Sequence, residues 1–197
     1  MSEKKNGMIN CLKKYKIAKE IVSVYDDEDR TSAFSAGYIV DVTDTYTLAA
    51  LISPLGQYDG YKTFETDDIY AVQHGGKYER KVSTLHALRS PHIREHLEVE
   101  STGDVMRDII AHAKKHSFIV SIQAHESGYN DCRGFVLSLD TDSVYVLQVD
   151  EYGQRDGYTT LRASDITHIF CDTDTEAAIK MLYDNCYSAE DEENYLP

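Results

Sequence analysis

The sequence predicts an α+β fold, mainly β, made of two duplicated units that each form a small five-stranded barrel with a helix at either end. The first observation is an internal match, because residues 37–72 align with residues 134–169 without a gap. The second is that the spacing of apolar residues changes from helical to strand-like at corresponding places in both copies. The offset of 97 residues exceeds the roughly 20 to 50 residues of solenoid repeats, so it indicates duplication of a domain.

Nine identical residues carry the internal match, and eight of them fall within fourteen consecutive positions. Each copy contains an Asp-Gly pair, Asp59-Gly60 and Asp156-Gly157, and we predict a turn at both because Gly supplies positive φ and Asp tolerates it. The identical pairs are Gly37/Gly134, Gly56/Gly153, Gln57/Gln154, Asp59/Asp156, Gly60/Gly157, Tyr61/Tyr158, Thr63/Thr160, Asp68/Asp165 and Ile69/Ile166.

Each unit is predicted to run helix, five strands, helix. Apolar residues recur at spacings of three and four from Met8 to Tyr15 and from Met106 to Ala113, which is typical of an amphipathic helix. The closing helix of the second unit begins with a capping box of Thr173 and Glu176. The predicted strands lie around residues 21–24, 38–42, 48–52, 61–64 and 69–73, and around 119–122, 135–139, 145–149, 158–161 and 166–171.

Composition and charge indicate the domain boundaries and the cellular location of the protein. We predict a first repeat over residues 1–90, a linker over 91–102, a second repeat over 103–187 and an acidic disordered tail over 188–197. No apolar run is long enough to span a membrane, and the four cysteines occur singly, so we expect a soluble cytoplasmic protein with reduced thiols. The net charge of −14 works against phosphate binding by the whole surface.

The helix followed by five strands, with Gly37 or Gly134 opening the second strand and a variable turn before the fourth, resembles the Sm-like (LSm) barrel of RNA-associated proteins. That resemblance implies barrels that pair edge to edge through their fourth and fifth strands. It also implies a uridine pocket, for which Asp44 in one copy and Asp140 or Asp142 in the other are the candidates. The Arg-Gly step of the family's pocket is absent from the corresponding stretches, residues 66–72 and 163–169. Other small SH3-like barrels, including the PRC-barrel type, fit the same spacing.

Lysines of the first helix are the candidates for contact with RNA phosphates, and two repeated tyrosines are the candidates for stacking on bases. The alternative for the lysines is a solvated helix face, and for the tyrosines it is packing across the sheet. The candidate residues are Lys13, Lys14, Lys16, Lys19, Tyr61 and Tyr158.

Two histidine pairs have the spacing of metal ligands. His92, Glu95 and His96 read H-x-x-E-H, the pattern of a zinc-dependent hydrolase, and the alternative is a solvated linker helix. His112 and His116 share one helical face beside two lysines, and surface histidines are the simpler interpretation. No cofactor is expected, because no phosphate-binding or nucleotide-binding motif occurs.

These observations predict a non-enzymatic, cytoplasmic macromolecular-interaction protein built of tandem Sm-like barrels, with RNA as a candidate partner. The alternatives are a protein-binding scaffold with no nucleic-acid role and a zinc-dependent hydrolase at His92, Glu95 and His96. The two repeats are expected to pair with each other, and a homo-oligomer of three chains in a six-barrel ring is the other arrangement.

Overall fold

A computed structural model of the chain describes residues 3–89, 97–125 and 131–186. The chain divides into two compact units, Met1–Ile109 and Ile110–Pro197, called unit 1 and unit 2 below. Within the described ranges there are ten strands and four α-helices, so the α+β, mainly β class is confirmed. No helix in those ranges is long and apolar enough to cross a membrane. The H-x-x-E-H segment and the predicted acidic tail lie outside the described residues.

Unit 1 contains two helices and five strands. Its strands are hydrogen-bonded in the order β5-β1-β2-β3-β4, and each neighbouring pair is antiparallel. The elements are α1 (Glu3–Ala18), β1 (Ile21–Tyr25), β2 (Ser35–Val42), β3 (Tyr46–Ile52), β4 (Tyr58–Glu65), β5 (Ala71–His74) and α2 (Lys77–Arg89).

Unit 2 repeats this order of elements, and the boundary between the units falls within its opening helix, α3. Its strands are hydrogen-bonded in the order β10-β6-β7-β8-β9, again with antiparallel neighbours. The elements are α3 (Val105–His116), β6 (Ile119–Ala124), β7 (Cys132–Leu139), β8 (Ser143–Val149), β9 (Arg155–Arg162), a 3-10 turn (Ala163–Asp165), β10 (Ile166–Cys171) and α4 (Asp174–Cys186).

The predicted barrels are not shown as closed structures. In the described part of unit 1, strand pairing runs from β5 through β1 to β4 and no pairing joins β4 back to β5. Unit 2 has the same open order from β10 to β9. Each unit is therefore described as an open antiparallel sheet, because a barrel requires hydrogen bonds between its first and last strands.

Apolar residues on two helices build the core of unit 1. Ile9 and Leu12 of α1 pack into a cluster on one side of the sheet that includes Val22 and Phe64, all at most 4% exposed. Val82 of α2 packs in a second cluster with strand residues that include Ile21 and Ile52. Full burial of each large apolar side chain contributes about 1.5–3 kcal/mol, so these clusters fix both helices to the sheet.

A buried serine and a buried glutamate connect the sheet of each unit to its closing helix. In unit 1 the Ser23 hydroxyl donates to Glu79 Oε1 at 2.5 Å, and in unit 2 the Ser121 hydroxyl donates to Glu176 Oε1 at 2.6 Å. All four residues are at most 3% exposed. The Thr173 hydroxyl donates to the second oxygen of Glu176, so the two residues of the predicted capping box contact each other through their side chains.

The Asp-Gly pairs lie inside strands and do not form the predicted turns. Asp59 and Gly60 together oppose the single residue Leu51, because Ala50 pairs with Tyr61 and Ile52 pairs with Tyr58. The positive φ of Gly60, +67°, therefore serves a β-bulge. In unit 2 the register of pairing between β8 and β9 shifts in the same way between Leu147 and Val149, and Gly157 has a φ of +79°.

The turn before β4 lies four residues earlier, at Gly56. Its N–H donates to the carbonyl of Ser53 at 2.8 Å, and its φ is +78°. A Cβ at Gly56 would lie 2.6 Å from Cβ of Leu85, and a Cβ at Gly153 would lie 2.6 Å from Cβ of Leu182. In both units the turn therefore contacts the closing helix directly.

Candidate functional site

The strongest candidate site is a sheet surface of unit 2 that exposes two stacked tyrosines. Tyr145 of β8 pairs with Thr160 of β9, and Leu147 pairs with Tyr158, so these four residues share one face of the sheet. The rings of Tyr145 and Tyr158 lie 5.6 Å apart at 17°. Together with the neighbouring Leu137 of β7, these residues are called the tyrosine face.

Large apolar groups of the tyrosine face are open to solvent. Tyr145 is 37% exposed, Tyr158 49% and Leu137 40%. Clustered exposed aromatic and aliphatic side chains mark interaction surfaces more often than isolated ones do. Tyrosine suits such a surface because its ring buries a large apolar area while its hydroxyl forms a hydrogen bond.

The matching surface of unit 1 is buried. Leu48, Ala50, Tyr61 and Thr63 occupy the positions 97 residues before Tyr145, Leu147, Tyr158 and Thr160, and each is at most 1% exposed. The Tyr61 hydroxyl donates to the backbone carbonyl of Leu97. The chain segment over residues 97–101 therefore lies against this face of unit 1.

Asp41 anchors the same segment at its other end. Its carboxylate accepts hydrogen bonds from the Ser101 hydroxyl, from Lys16 Nζ at 2.6 Å and from the N–H of Val42 at 2.8 Å. Burial would raise the pKa of Asp41, but these hydrogen bonds and the Lys16 charge outweigh burial and lower it below the usual value. Unit 2 has Ser138 at the matching position and lacks this anchor.

A cavity of about 440 Å³ lies beside the segment in unit 1. Apolar side chains of β2 and of the segment form much of its wall, and the lysines Lys16 and Lys19 of α1 complete it. Burial raises the pKa of Tyr38, which also lines the cavity. The cavity combines an apolar wall with positive charge, although Lys16 is already paired with Asp41.

The predicted RNA-contact residues of unit 1 differ in their exposure. Lys13, Lys14 and Lys19 are exposed on or directly after α1, whereas Lys16 is partly buried in its ion pair with Asp41. Tyr61 is 1% exposed, so its ring has no free face for a base. Burial thus removes Tyr61 from the candidate stacking residues.

A second cavity, of about 710 Å³, lies in unit 2 next to the tyrosine face and shares Thr160 with it. His125 Nε2 lies 3.7 Å from the carboxylate of Asp165, and Arg162 Nη1 lies 3.3 Å from the same carboxylate. The side chains of His125 and Arg162 are 75% and 72% exposed. This cluster carries charges of both signs at one end of β9.

The described histidine pair is packed and does not lie at the surface as expected. His112 is 5% exposed, and its ring lies 4.6 Å from that of His116 and 5.8 Å from that of Phe118. The spacing of four residues therefore serves aromatic packing. Among the described residues, no three His, Cys, Asp or Glu side chains come together as a metal site.

Sequence reasoning missed the tyrosine face because it treated Tyr61 and Tyr158 as equivalent. A signal was available in the aligned positions, since Leu48 of unit 1 is replaced by Tyr145 and Asp41 is replaced by Ser138. Comparison of the chain with protein-family models, with curated proteins and with solved structures gives no match.

Proposed function

We propose that the chain is a non-enzymatic macromolecular-interaction protein made of two copies of an Sm-like small barrel, and that the tyrosine face of unit 2 is its partner-binding surface. One observation carries the proposal: the same sheet face is buried in unit 1 and exposed in unit 2. A tyrosine pair that stacks before binding loses little side-chain entropy when a partner covers it.

Matched details within the units support the duplicated-barrel part of the proposal. The bulge between β2 and β3 at Ile39/Asp41 recurs between β7 and β8 at Val136/Ser138. A Cβ at Gly37 would lie 2.1 Å from the carbonyl oxygen of Ala50, and one at Gly134 would lie 1.9 Å from that of Leu147. The strand order β5-β1-β2-β3-β4 of unit 1 recurs in unit 2 as β10-β6-β7-β8-β9.

Affinity capture from a lysate tests the binding surface. The bait is the full chain, compared with a Tyr145→Ser, Tyr158→Ser double variant, and Tyr152→Ser is the matched control because Tyr152 is 66% exposed on the turn before β9. The expected result is a partner whose capture by the full chain persists after nuclease treatment. The Tyr152→Ser control should capture the same partner, and the double variant should not. Equal capture by all three baits would refute the assignment of the surface.

RNA binding through α1 is a second candidate function, favoured by the exposed lysines Lys13, Lys14 and Lys19. A filter-binding titration with single-stranded RNA at two salt concentrations tests it. We expect micromolar binding that weakens as salt rises and falls further when the three lysines are replaced by Ala. Replacing Lys77, Lys81 and Lys114 by Ala gives a control with the same charge change. Equal effects of the two triple variants would reject this candidate.

A further inference from the structure

We propose that the tyrosine face of unit 2 binds an extended peptide that has apolar side chains at alternate positions and an acidic residue between them. The inference rests on the proposed function and specifies the chemistry of the partner. Its basis is the segment Leu97-Glu98-Val99-Glu100-Ser101, whose Leu97 carbonyl accepts from Tyr61 and whose Ser101 hydroxyl donates to Asp41 on the matching face of unit 1.

The covering segment of unit 1 shows which contacts such a peptide makes. Its backbone contributes the Leu97 carbonyl that accepts from Tyr61, and its side chains Leu97 and Val99 line a cavity with Ile39 and Val40 of β2. A main-chain acceptor together with apolar side chains at alternate positions is the usual basis of extended-peptide recognition.

Unit 2 offers the corresponding groups, and Tyr158 is 49% exposed with no comparable segment against it among residues 97–125 and 131–186. Tyr158 stands in place of Tyr61, and its exposed side chain has a hydroxyl that can donate to a peptide carbonyl. Leu137 stands in place of Val40 and provides the apolar contact. Tyr145 replaces Leu48, and its ring stacks on that of Tyr158 to widen the apolar platform.

Charged residues that differ between the two faces favour an acidic peptide at the face of unit 2. Arg155 and Arg162 stand at the two ends of β9, where β4 has Tyr58 and Glu65. Arg162 is 72% exposed, and its contact with Asp165 at 3.3 Å leaves most of its five N–H donors available. Arg155 already donates to the Tyr183 hydroxyl at 3.1 Å, so Arg162 is the arginine that matches a carboxylate of the peptide, at the position of Glu98 or Glu100.

A nucleic acid fits the same surface less well than an acidic peptide does. Asp156 is exposed on β9, and Asp131 and Asp165 line the adjoining cavity, so phosphates spaced along a strand would meet several carboxylates. A short peptide can place a carboxylate at Arg162 alone. The geometry therefore favours a polypeptide as the partner.

Fluorescence anisotropy with a labelled synthetic peptide of the sequence of residues 95–102 tests the proposal on the full chain. We expect saturable binding that weakens at least tenfold in Tyr158→Ala and in Tyr145→Ala and is unchanged in Tyr152→Ala. Tyr158→Phe removes only the hydroxyl, so we expect roughly a two- to tenfold loss. A peptide with Ser at the positions of Leu97 and Val99 should not bind. Unchanged circular dichroism shows that each variant is folded.

Several outcomes would overturn the proposal. The first is no binding at millimolar peptide, and the second is binding that the tyrosine variants leave intact. The third is binding only after the chain is cut following Cys186, which would assign the face to residues 187–197. The fourth is a dimer that Tyr158→Ala dissociates. If the peptide fails but lysate capture still depends on Tyr145 and Tyr158, the peptide chemistry is wrong and the proposed function stands. If both experiments fail, the proposed function fails as well.

Discussion

Ser23 and Glu79 form a hydrogen bond in the interior of unit 1 at a place where sequence patterns predict only apolar residues. Ser23 is the third residue of an otherwise apolar β1 run, and Ser121 has the same place in β6. A single serine in an apolar strand does not by itself predict a buried hydrogen bond, because its partner lies more than fifty residues away in the sequence. Patterns over a few neighbouring residues therefore do not predict this pair.

Replacement of Ser23 by Ala should destabilise unit 1. The change removes a donor and leaves a carboxylate oxygen of the buried Glu79 without its hydrogen bond, which costs about 1–3 kcal/mol. Urea denaturation followed by circular dichroism measures the change in the free energy of unfolding. Ser83→Ala, at an exposed position of α2, should alter it by less than about 0.5 kcal/mol. Equal effects of the two substitutions would contradict a stabilising role for the pair.

Asp41 should give unit 1 a pH-dependent stability. The folded-state pKa of Asp41 lies below its usual value, so the unfolded chain binds more protons between the two pKa values. Its contribution is complete above about pH 5 and is lost as pH falls through the lowered pKa. Asp41→Asn should cost about 1–3 kcal/mol at pH 7 and flatten the acid limb of a stability curve measured by urea denaturation.

Asp44→Asn is the control for that experiment, since Asp44 is exposed in the loop between β2 and β3. It should leave the acid limb unchanged. A steep acid limb that persists in Asp41→Asn would show that other carboxylates cause it. Loss of Asp41 should also release residues 97–101, which hydrogen exchange can detect at Leu97 and Ser101.

At the level of elements, the predicted strands and helices were found within a few residues of their expected positions because the alternation of apolar residues is strong. The Asp-Gly pairs were misassigned for a physical reason. Both a hairpin turn and a β-bulge require positive φ, so Gly60 is compatible with either. Only the pairing of Ala50 with Tyr61 distinguishes the two, and pairing is a property of the assembled sheet.

Two glycine substitutions should have opposite effects on unit 1. At Gly37 of β2 a Cβ would lie 2.1 Å from the carbonyl oxygen of Ala50, and a backbone atom in a paired strand cannot move away cheaply. Gly37→Ala should therefore lower the free energy of unfolding by more than about 3 kcal/mol or prevent folding. Gly7 lies within α1 with no atom within 4 Å of a Cβ, so Gly7→Ala should stabilise by about 0.5–1 kcal/mol.

Thermal denaturation of the two variants beside the unchanged chain measures both effects. A Gly37→Ala variant as stable as the parent would mean that β2 and β3 approach each other less closely than described. A loss of stability in Gly7→Ala would indicate that this surface of α1 is in contact with another part of the chain.

At the scale of the whole molecule, the matching order of helices and strands in the two units could be predicted from the sequence, but the different burial of their matching sheet faces was not predicted. Tyr61 and Tyr158 are identical residues in matching strands, yet one is 1% and the other 49% exposed. What separates them is the segment over residues 97–101, whose Leu97 carbonyl accepts a hydrogen bond from Tyr61. The short alternation of apolar and acidic residues in this segment does not indicate which sheet face it covers. The sequence also does not predict whether each sheet closes into a barrel, since closure depends on how strongly the sheet curves.

The net charge of −14 should control the solubility of the whole chain. The positive and negative charges balance near the calculated isoelectric point of 4.9, where repulsion between molecules is weakest. Solubility should therefore be lowest near that pH and rise steadily towards pH 7. Turbidity of a concentrated solution between pH 4 and pH 8 measures this, and a minimum above pH 6 would contradict the expectation.

The contact of Gly56 with Leu85 and of Gly153 with Leu182 limits how the chain can be lengthened. An insertion into either turn would push the closing helix away from its sheet, so relatives of this protein should keep these turns at constant length. The connection between β1 and β2 is exposed over residues 28–32, where the Tyr70 hydroxyl donates to the carbonyl of Thr31 at 3.2 Å. Variation in length, and any epitope tag or sensor domain added by design, is therefore best accommodated there.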